Sequence, residues 1–431
     1  DLSATSLHVT YHATHFDVTS ITSFDQNDAF ETTDMDFMPL DYLRRQVTED
    51  QDQVYQELRF SSDDDTWMGA KVNWLVGLTY YGSEMTHQAW TEVRPEVTGI
   101  PMTSAFLNEN YTLDDNGWAM FGHATLALNS KWDLTLGLRW ENETKKWDIA
   151  HDQVIGGYPV AVTNGQDEAD FDDILPKVSL TYHVNPTLNL FGIVSKSYRS
   201  GGYNRNTTAG YPYSDELYTY DEETGWSYEA GIKGSWFENR LYASFTAFSL
   251  DWENRQLSVP LPGQTGQYYL DNVAESRSQG LELELHAALC RYLDLQVGFG
   301  SNAAEFKSYI DPTTGLDVNG NQLPQAPDQN SHLALSYHQQ FGDLFVHADT
   351  SLARIGQIYY DNANTASQKA VDLIQGRFGI SYKGFDVSVW GKNLGDELYF
   401  PMAIPHTIIP GSWAVRPGNP REVGVTLSYR Y

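Results

Sequence analysis

"PREVGVTLSYRY", Pro420 to Tyr431, separates into two rows when every second residue is taken. Val423, Val425, Leu427, Tyr429 and Tyr431 are apolar or aromatic, and Glu422, Gly424, Thr426, Ser428 and Arg430 are small or polar. Successive side chains of a β-strand point to opposite faces, so this spacing makes one greasy face and one polar face. The pattern recurs upstream. In "KWDLTLGLRWE" Trp132, Leu134, Leu136, Leu138 and Trp140 oppose Asp133, Thr135, Gly137 and Arg139. In "KVNWLVGLTY" the apolar row is Val72, Trp74, Val76, Leu78 and Tyr80, and "GLELELH" sets Leu281, Leu283 and Leu285 against Glu282, Glu284 and His286. Counting such segments predicts about 17 strands, mostly of roughly 9–13 residues, joined alternately by short and long connections. "VNPT" (184–187) and "FENR" (237–240) are short; 142–172, 200–223, 255–275, 301–328 and 357–370 are long and rich in turn-forming residues. No heptads and no helix-period segment interrupt the pattern, so the chain reads as all-β.

Composition removes several function classes. No run of about 18 apolar residues exists, which excludes a transmembrane helix, and no signal peptide is visible at Asp1. A formal charge of −30 argues against nucleic acid, whose phosphates need Lys and Arg to displace counterions. Cys290 is the only cysteine, so neither an internal disulfide nor a thiolate metal cage can form. There is no nucleotide loop, nucleophile elbow or His-Glu-x-x-His, and hence no expectation of an enzyme, a cofactor or a metal. In "HVTYHATH" strand parity puts His8 and His12 on one face and His15 on the other, a poor metal site. "DVNGNQ" lacks the later bidentate glutamate of a calcium loop and reads as a turn. Asp63 to Asp65 and the run Asp167 to Asp173 read as solvated loop charges, with Ca²⁺ at a loop rim left open.

Many long alternating strands fit either a soluble sandwich or propeller, or a membrane barrel. A propeller would repeat its blade motif, and no such repeat is found. The polar rows favour Ser, Thr, Gly, Asn and Asp, as a crowded lumen would. From Trp132 to Trp140 is about 26 Å along a strand and about 20 Å in height once tilted, close to the apolar band of an outer-membrane barrel with an aromatic at each border. Trp74 with Tyr80 and Tyr81, and Tyr429 with Tyr431, are read as the same girdle. The expectation is a transmembrane antiparallel up-and-down β-barrel, whose last strand pairs with its first so that neither edge is left bare in lipid.

Several segments then resemble one family, the TonB-dependent outer-membrane receptors. "SKSYRSGGYN" (195–204) resembles its strand-end motif, and "YEAGIKGSWFENRLYASFTAFSLDWENRQ" (228–256) its two-strand hairpin. "DNVAESRSQGLELEL" is similar to an Asn-x-Ala, Ser-x-Gly, Glu-x-Glu pattern carried by Asn272, Ala274, Ser278, Gly280, Glu282 and Glu284. "GNQLPQAP" (320–327), "GKNLGDELYF" (Asn393, Leu394, Asp396, Tyr399), "YQELRFSS" and the C-terminus complete the set. The motifs read as structural punctuation: Gly201 and Gly202 supply positive φ where a strand becomes a loop, and Asn393 to Asp396 form an Asx-capped turn.

The resemblance implies a plug followed by a barrel of about 22 strands. About five strands and the plug are not visible here, so residues 1–431 read as a partial barrel domain. It further implies the outer membrane of a Gram-negative bacterium, with lipid and lipopolysaccharide around the barrel. The implied partners are the TonB–ExbB–ExbD complex, reached through an N-terminal region, and the barrel-assembly machinery. The latter is implied to read the terminal strand through Val425, Leu427, Tyr429 and Tyr431. The function implied is active import of a scarce bulky ligand: a siderophore–iron complex, cobalamin, an oligosaccharide or similar. A passive porin remains the alternative, and a lumenal enzyme or adhesin the third reading. Candidate ligand residues are Arg199, Tyr203, Tyr211, Tyr213, Tyr218 and Tyr220, because loops on a rigid scaffold carry specificity and aromatic rings stack on sugars or catechols. Ser195, Ser197 and Arg199 read as lumenal, which puts Lys196 on the lipid face or just above it.

Overall fold

The structure is a computed structural model that describes every residue except 36–38, 40–41, 63–65, 68–69, 95–104, 205–217, 261–267, 313, 406–408, 410 and 431. Among the described residues seventeen long strands make one sheet. They are β1 (Leu2–His12), β2 (Phe16–Asp34), β3 (Leu43–Ser62), β4 (Ala70–Val93), β5 (Ala105–Ala127) and β6 (Trp132–Ile155). There follow β7 (Tyr158–Asn185), β8 (Leu188–Arg199), β9 (Glu223–Trp236), β10 (Leu241–Pro260), β11 (Tyr268–Cys290) and β12 (Leu293–Ser308). The last five are β13 (Gln329–Phe341), β14 (Leu344–Ile355), β15 (Val371–Tyr382), β16 (Phe385–Lys392) and β17 (Glu422–Tyr429). Each pairs antiparallel with its neighbours in the chain, an up-and-down meander without a crossover.

Cross-strand partners share a face, so the register extends the two rows around the sheet. Leu136 faces Val178, Val178 faces Val194 and Val194 faces Tyr228, all on the outer side. Thr135 faces Ser179 and Thr125 on the other, and the hydroxyls of Thr125 and Thr135 are 2.8 Å apart. Leu136, Leu138, Val425 and Leu427 are all exposed, as a lipid-facing row requires in the absence of lipid. The rows end in aromatics: Trp132 packs on Tyr182 and Phe385 on Tyr429 at one border, and Tyr80 on Trp118 at the other. Tyr81 corrects the expectation for it. It faces Tyr55 and Gly117 on the polar side, because it is one step out of phase with Tyr80.

Short turns occupy one end of the sheet and longer connections the other, except that β6 and β7 are joined there by Gly156 and Gly157 alone. The strands are longer than expected, however, ranging from 8 to 28 residues. The largest revision concerns 142–172, read from sequence as a loop. It is the upper part of hairpin β6–β7, closed by Gly156 and Gly157 at φ 57° and 83°. Its outer face is mostly polar and meets water instead of lipid, while Trp147, Ile149, His151, Thr163 and Phe171 are buried on the inner one, so no continuous apolar row marks the strands there. The segment 255–275 likewise runs largely within β10 and β11. The outer sides of β1 and β17 have no strand partner among the described residues, so the expected last-to-first pairing is not made between these two. Seventeen strands are fewer than the circuit that the resemblance implies.

Candidate functional site

The inner face, followed from the short turns towards the long connections, changes from a charged ladder to an aromatic cup. Glu57–Arg59, Glu141–Arg139 and Glu143–Lys145 pair at 2.6, 2.5 and 3.4 Å along β3 and β6. Above them Met85, Tyr111, Leu113, Trp147 and Ile149 form a buried cluster with Tyr203 and Tyr218 from the 200–223 connection. Trp147 is stacked against both tyrosines, with ring centres 5.0 and 5.4 Å away. Higher still, His87 stacks on Tyr111 at 4.2 Å and pairs with Glu49, while buried Glu109 meets Arg45 at 2.6 Å. Burial pushes the Glu109 carboxyl above its ordinary range, against the opposing pull of the Arg45 guanidinium.

The base of the 200–223 connection is held from both sides. Lys145 Nζ donates to Ser200 Oγ (2.8 Å) and to the Gly201 carbonyl (2.9 Å), and Tyr203 OH donates to the Lys145 carbonyl. Across from these, the Asn204 side chain exchanges two hydrogen bonds with the Leu270 backbone, and Asn272 does the same with Asp221. Gln256 Nε2 reaches the carbonyls of Ser200 and Asp221. The paired glycines of the motif serve close approach and not positive φ, which neither adopts. A Cβ on Gly201 would lie 2.4 Å from the Tyr220 carbonyl oxygen, and one on Gly202 2.7 Å from the Tyr220 hydroxyl.

A second cluster, Ala274, Ala304, Phe306, Tyr309, Val318 and Leu323, fixes the 301–328 connection, and burial raises the Tyr309 phenol. Its neighbours are tied on in turn. Asn321 Nδ2 donates to the Asn362 carbonyl, the Gln322 amide to Asn364 Oδ1, and Tyr360 OH to the Phe400 carbonyl. The Asx-capped turn at Asn393 is present: Asn393 Oδ1 accepts from the Glu397 amide at 2.9 Å, with Asn393 and Asp396 both at positive φ. "DVNGNQ" is a turn closed by the Asn319 amide on Asp317 Oδ1.

Of the candidate ligand residues, Tyr203 and Tyr218 come together on Trp147 as buried packing. Tyr220 is half-buried beside them, and exposed Arg199 stands 3.8 Å from Glu223. Tyr211 and Tyr213 lie outside the described residues, as do Asp63 to Asp65 and, at the C-terminus, Tyr431. Lys196 is on the outer face opposite Trp226, its ammonium 2.7 Å from Asp173. His12 pairs with Asp17, and no cluster of three or more metal-ligating side chains occurs among the described residues. Asn204 closes the strand-end motif 195–204, whereas Trp147 and Lys145 belong to no motif in the sequence. Counting the parity of Thr135 on past Trp140 does turn Trp147 inward. The arrangement is a polar inner face with an aromatic-lined mouth, and among the described residues no nucleophile, base and orienting group converge in it.

A family model described as "TonB dependent receptor-like, beta-barrel" matches residues 1–394. The chain is 26% identical over 351 residues to the metal-pseudopaline receptor CntO of Pseudomonas aeruginosa, an alignment covering 79% of this chain and 44% of that protein. Among solved structures it resembles the ferric yersiniabactin uptake receptor FyuA of Yersinia pestis, with TM-score 0.82 and 18% identity, covering 99% of this chain and 61% of the other. The siderophore receptor PiuA of Acinetobacter baumannii gives TM-score 0.78 and 16% identity, covering 100% and 64%. The chain thus spans about half the length of the curated relative and under two thirds of these structures.

Proposed function

Because the chain belongs to the family of TonB-dependent receptor β-barrels, we infer that it is the barrel of an outer-membrane importer. In this reading the complete protein carries a plug and the further strands that close the sheet. The ligand binds from outside at the connections, and energy delivered through TonB displaces the plug. The family match over most of the chain carries this reading. The inward polar face and the clamped mouth support it: binding needs a preformed surface, and a barrel of about 22 strands needs an occupant to be selective.

Within that class we assign the ligand to metal ions held by small organic chelators, ahead of cobalamin or oligosaccharides. The support is the 26% likeness to a receptor whose name gives a metal-pseudopaline ligand. Aromatic rings at the mouth suit the flat, partly apolar faces of such complexes.

The test uses cells that make the full-length protein, starved of metal. They are given radioactive iron, nickel or cobalt premixed with catecholate or aminocarboxylate chelators, with and without a protonophore. Uptake of at least one complex that stops when the inner membrane is de-energised is expected. Uptake that merely equilibrates and ignores the protonophore would make the protein a passive porin. Energised uptake of cobalamin or an oligosaccharide alone would keep the importer and discard the chelate.

A further inference from the structure

Strands β3 to β6 stay paired in continuous register well above the aromatic border marked by Tyr80 and Trp118. There Met85, His87 and Ala89 are buried on the inner face, so Gln88 and Trp90 point outward, away from the lumen side. Register sets their neighbours in two rows across the four strands. Gln46, Trp90, Asn108 and Asp152 are partners in the upper row, and Thr48, Gln88, Asn110 and Ala150 in the lower. With strands about 4.8 Å apart, each row is about 14 Å wide. All of these side chains except Ala150 line a groove of about 350 Å³, the small end of the range for ligand sites.

Trp90 gives the groove a flat ring, steadied by Arg44, whose guanidinium lies 5.4 Å from the ring centre and 3.2 Å from Glu92. Asn108 Nδ2 donates to Asp152 Oδ2 at 2.9 Å, and Asn110 Nδ2 to the Ala150 carbonyl at 3.4 Å. The side chains of Gln46, Thr48 and Gln88 make no hydrogen bond to other described residues, which leaves two amides and a hydroxyl with donors and acceptors to offer. Among the described residues no Lys or Arg lines the groove, and no aliphatic side chain larger than alanine. That disfavours a phosphate and an acyl chain alike. A pyranose ring, with an apolar C–H face and a rim of hydroxyls, matches an indole set among planar amides.

Height selects the source of the sugar. From Tyr80 to Trp90 is about 33 Å of strand and about 25 Å of height once tilted. Lipid tails do not reach that level. The longer connections mark this as the extracellular end, and the groove opens sideways from the barrel, towards the sugars of the surrounding lipopolysaccharide and not into the mouth. Given the outer-membrane setting inferred above, and whatever ligand is imported, we propose that this groove binds uncharged sugar rings of the lipopolysaccharide beside the barrel. Trp90 stacks on the C–H face of one ring, and Gln46, Thr48, Gln88 and Asp152 hydrogen-bond the hydroxyls.

The probe is the core oligosaccharide released by mild acid from the lipopolysaccharide of the protein's own bacterium. It is titrated onto the full-length protein in phospholipid nanodiscs and read by saturation-transfer NMR. Trp90→Ala is expected to weaken binding at least about tenfold. Gln88→Ala, at an exposed side chain with no hydrogen bond to lose, should weaken it several-fold. Heat-resistant electrophoretic migration verifies that both variants fold. No binding of the oligosaccharide, or binding that neither substitution weakens, would overturn the proposal. Equal binding of maltohexaose would overturn the lipopolysaccharide assignment, and binding of intact lipopolysaccharide without the free oligosaccharide would overturn it in favour of lipid A. Energised chelate uptake should be the same in both variants as in the unsubstituted protein, because the groove opens outside the sheet. Uptake lost together with sugar binding would put the groove on the import path and overturn the assignment. Uptake absent from the unsubstituted protein as well would count against the importer, while sugar binding that depends on Trp90 would still uphold the groove.

Discussion

Leu136 and Thr135 are neighbours in the chain and opposites in environment. Leu136 continues the outer row through Val178, and Thr135 lies on the inner side against Ser179 and Thr125. Near mid-bilayer, Leu136→Arg is expected to cost about 2–4 kcal/mol, while Thr135→Arg is tolerated in a polar lumen. Denaturant unfolding from lipid vesicles measures both, and equal losses would mean a sheet buried on two faces. Glu109 is the residue-scale prediction that strand parity cannot supply. Burial raises its pKa in the folded chain, so over the interval above the usual carboxylate pKa the folded form binds more protons than the unfolded form. Stability of the upper sheet should therefore fall as pH rises through that interval, and Glu109→Gln should flatten the dependence. Hydrogen exchange of β5 residues 105–113 across mildly acidic to neutral pH reads the slope. A steeper slope in the variant would reverse the assignment.

At the scale of elements, β17 and hairpin β6–β7 behave differently. β17 is legible as a strand because lipid on one side and lumen on the other force strict alternation on Val423 to Tyr429. Deleting 422–431 would leave β16 with unpaired backbone in a medium that offers no water. Cells expressing that truncation in the full-length protein should yield no heat-resistant barrel, and a folded barrel would contradict this. Beyond Trp140 the outer face of hairpin β6–β7 meets water and not lipid, so no apolar row is required on that side, and 142–172 read as a loop. The same hairpin carries Trp147, which anchors the 200–223 connection through Tyr203 and Tyr218. Trp147→Ala should cost about 3–5 kcal/mol locally, the usual range for a buried tryptophan. Faster hydrogen exchange at 198–204 and 218–223 with the strands of the belt unchanged would show it. Unchanged exchange there would mean that the hydrogen bonds of Lys145 and Asn204 suffice.

At the scale of the whole molecule, the importer proposed above sets a surface that exists beforehand against a passage that would need work. The described ends of the connection after β8, and the described parts of those after β12 and β14, are fixed by buried clusters and loop-to-loop hydrogen bonds. A mouth fixed in this way would need no energy supply to bind the proposed chelate. Full-length protein on de-energised cells is thus expected to hold surface-bound labelled chelate to the same extent as on energised cells, even though uptake stops. Binding that disappears with the protonophore would tie the shape of the mouth to the energised state.

The sequence by itself determined the strands of the lipid belt, their inward and outward faces, the alternation of short turns with long connections, and the family. Each of these is enforced by a local rule: period-two alternation where two solvents meet, or turn residues at fixed places. Tertiary structure decided the rest. Tyr203 and Tyr218 became packing for Trp147, Gly201 and Gly202 made room for Tyr220 in place of supplying positive φ, and a polar run rose as a tall hairpin. Those outcomes depend on residues tens of positions apart meeting in space, and hydropathy along a single strand carries no record of what stands opposite it.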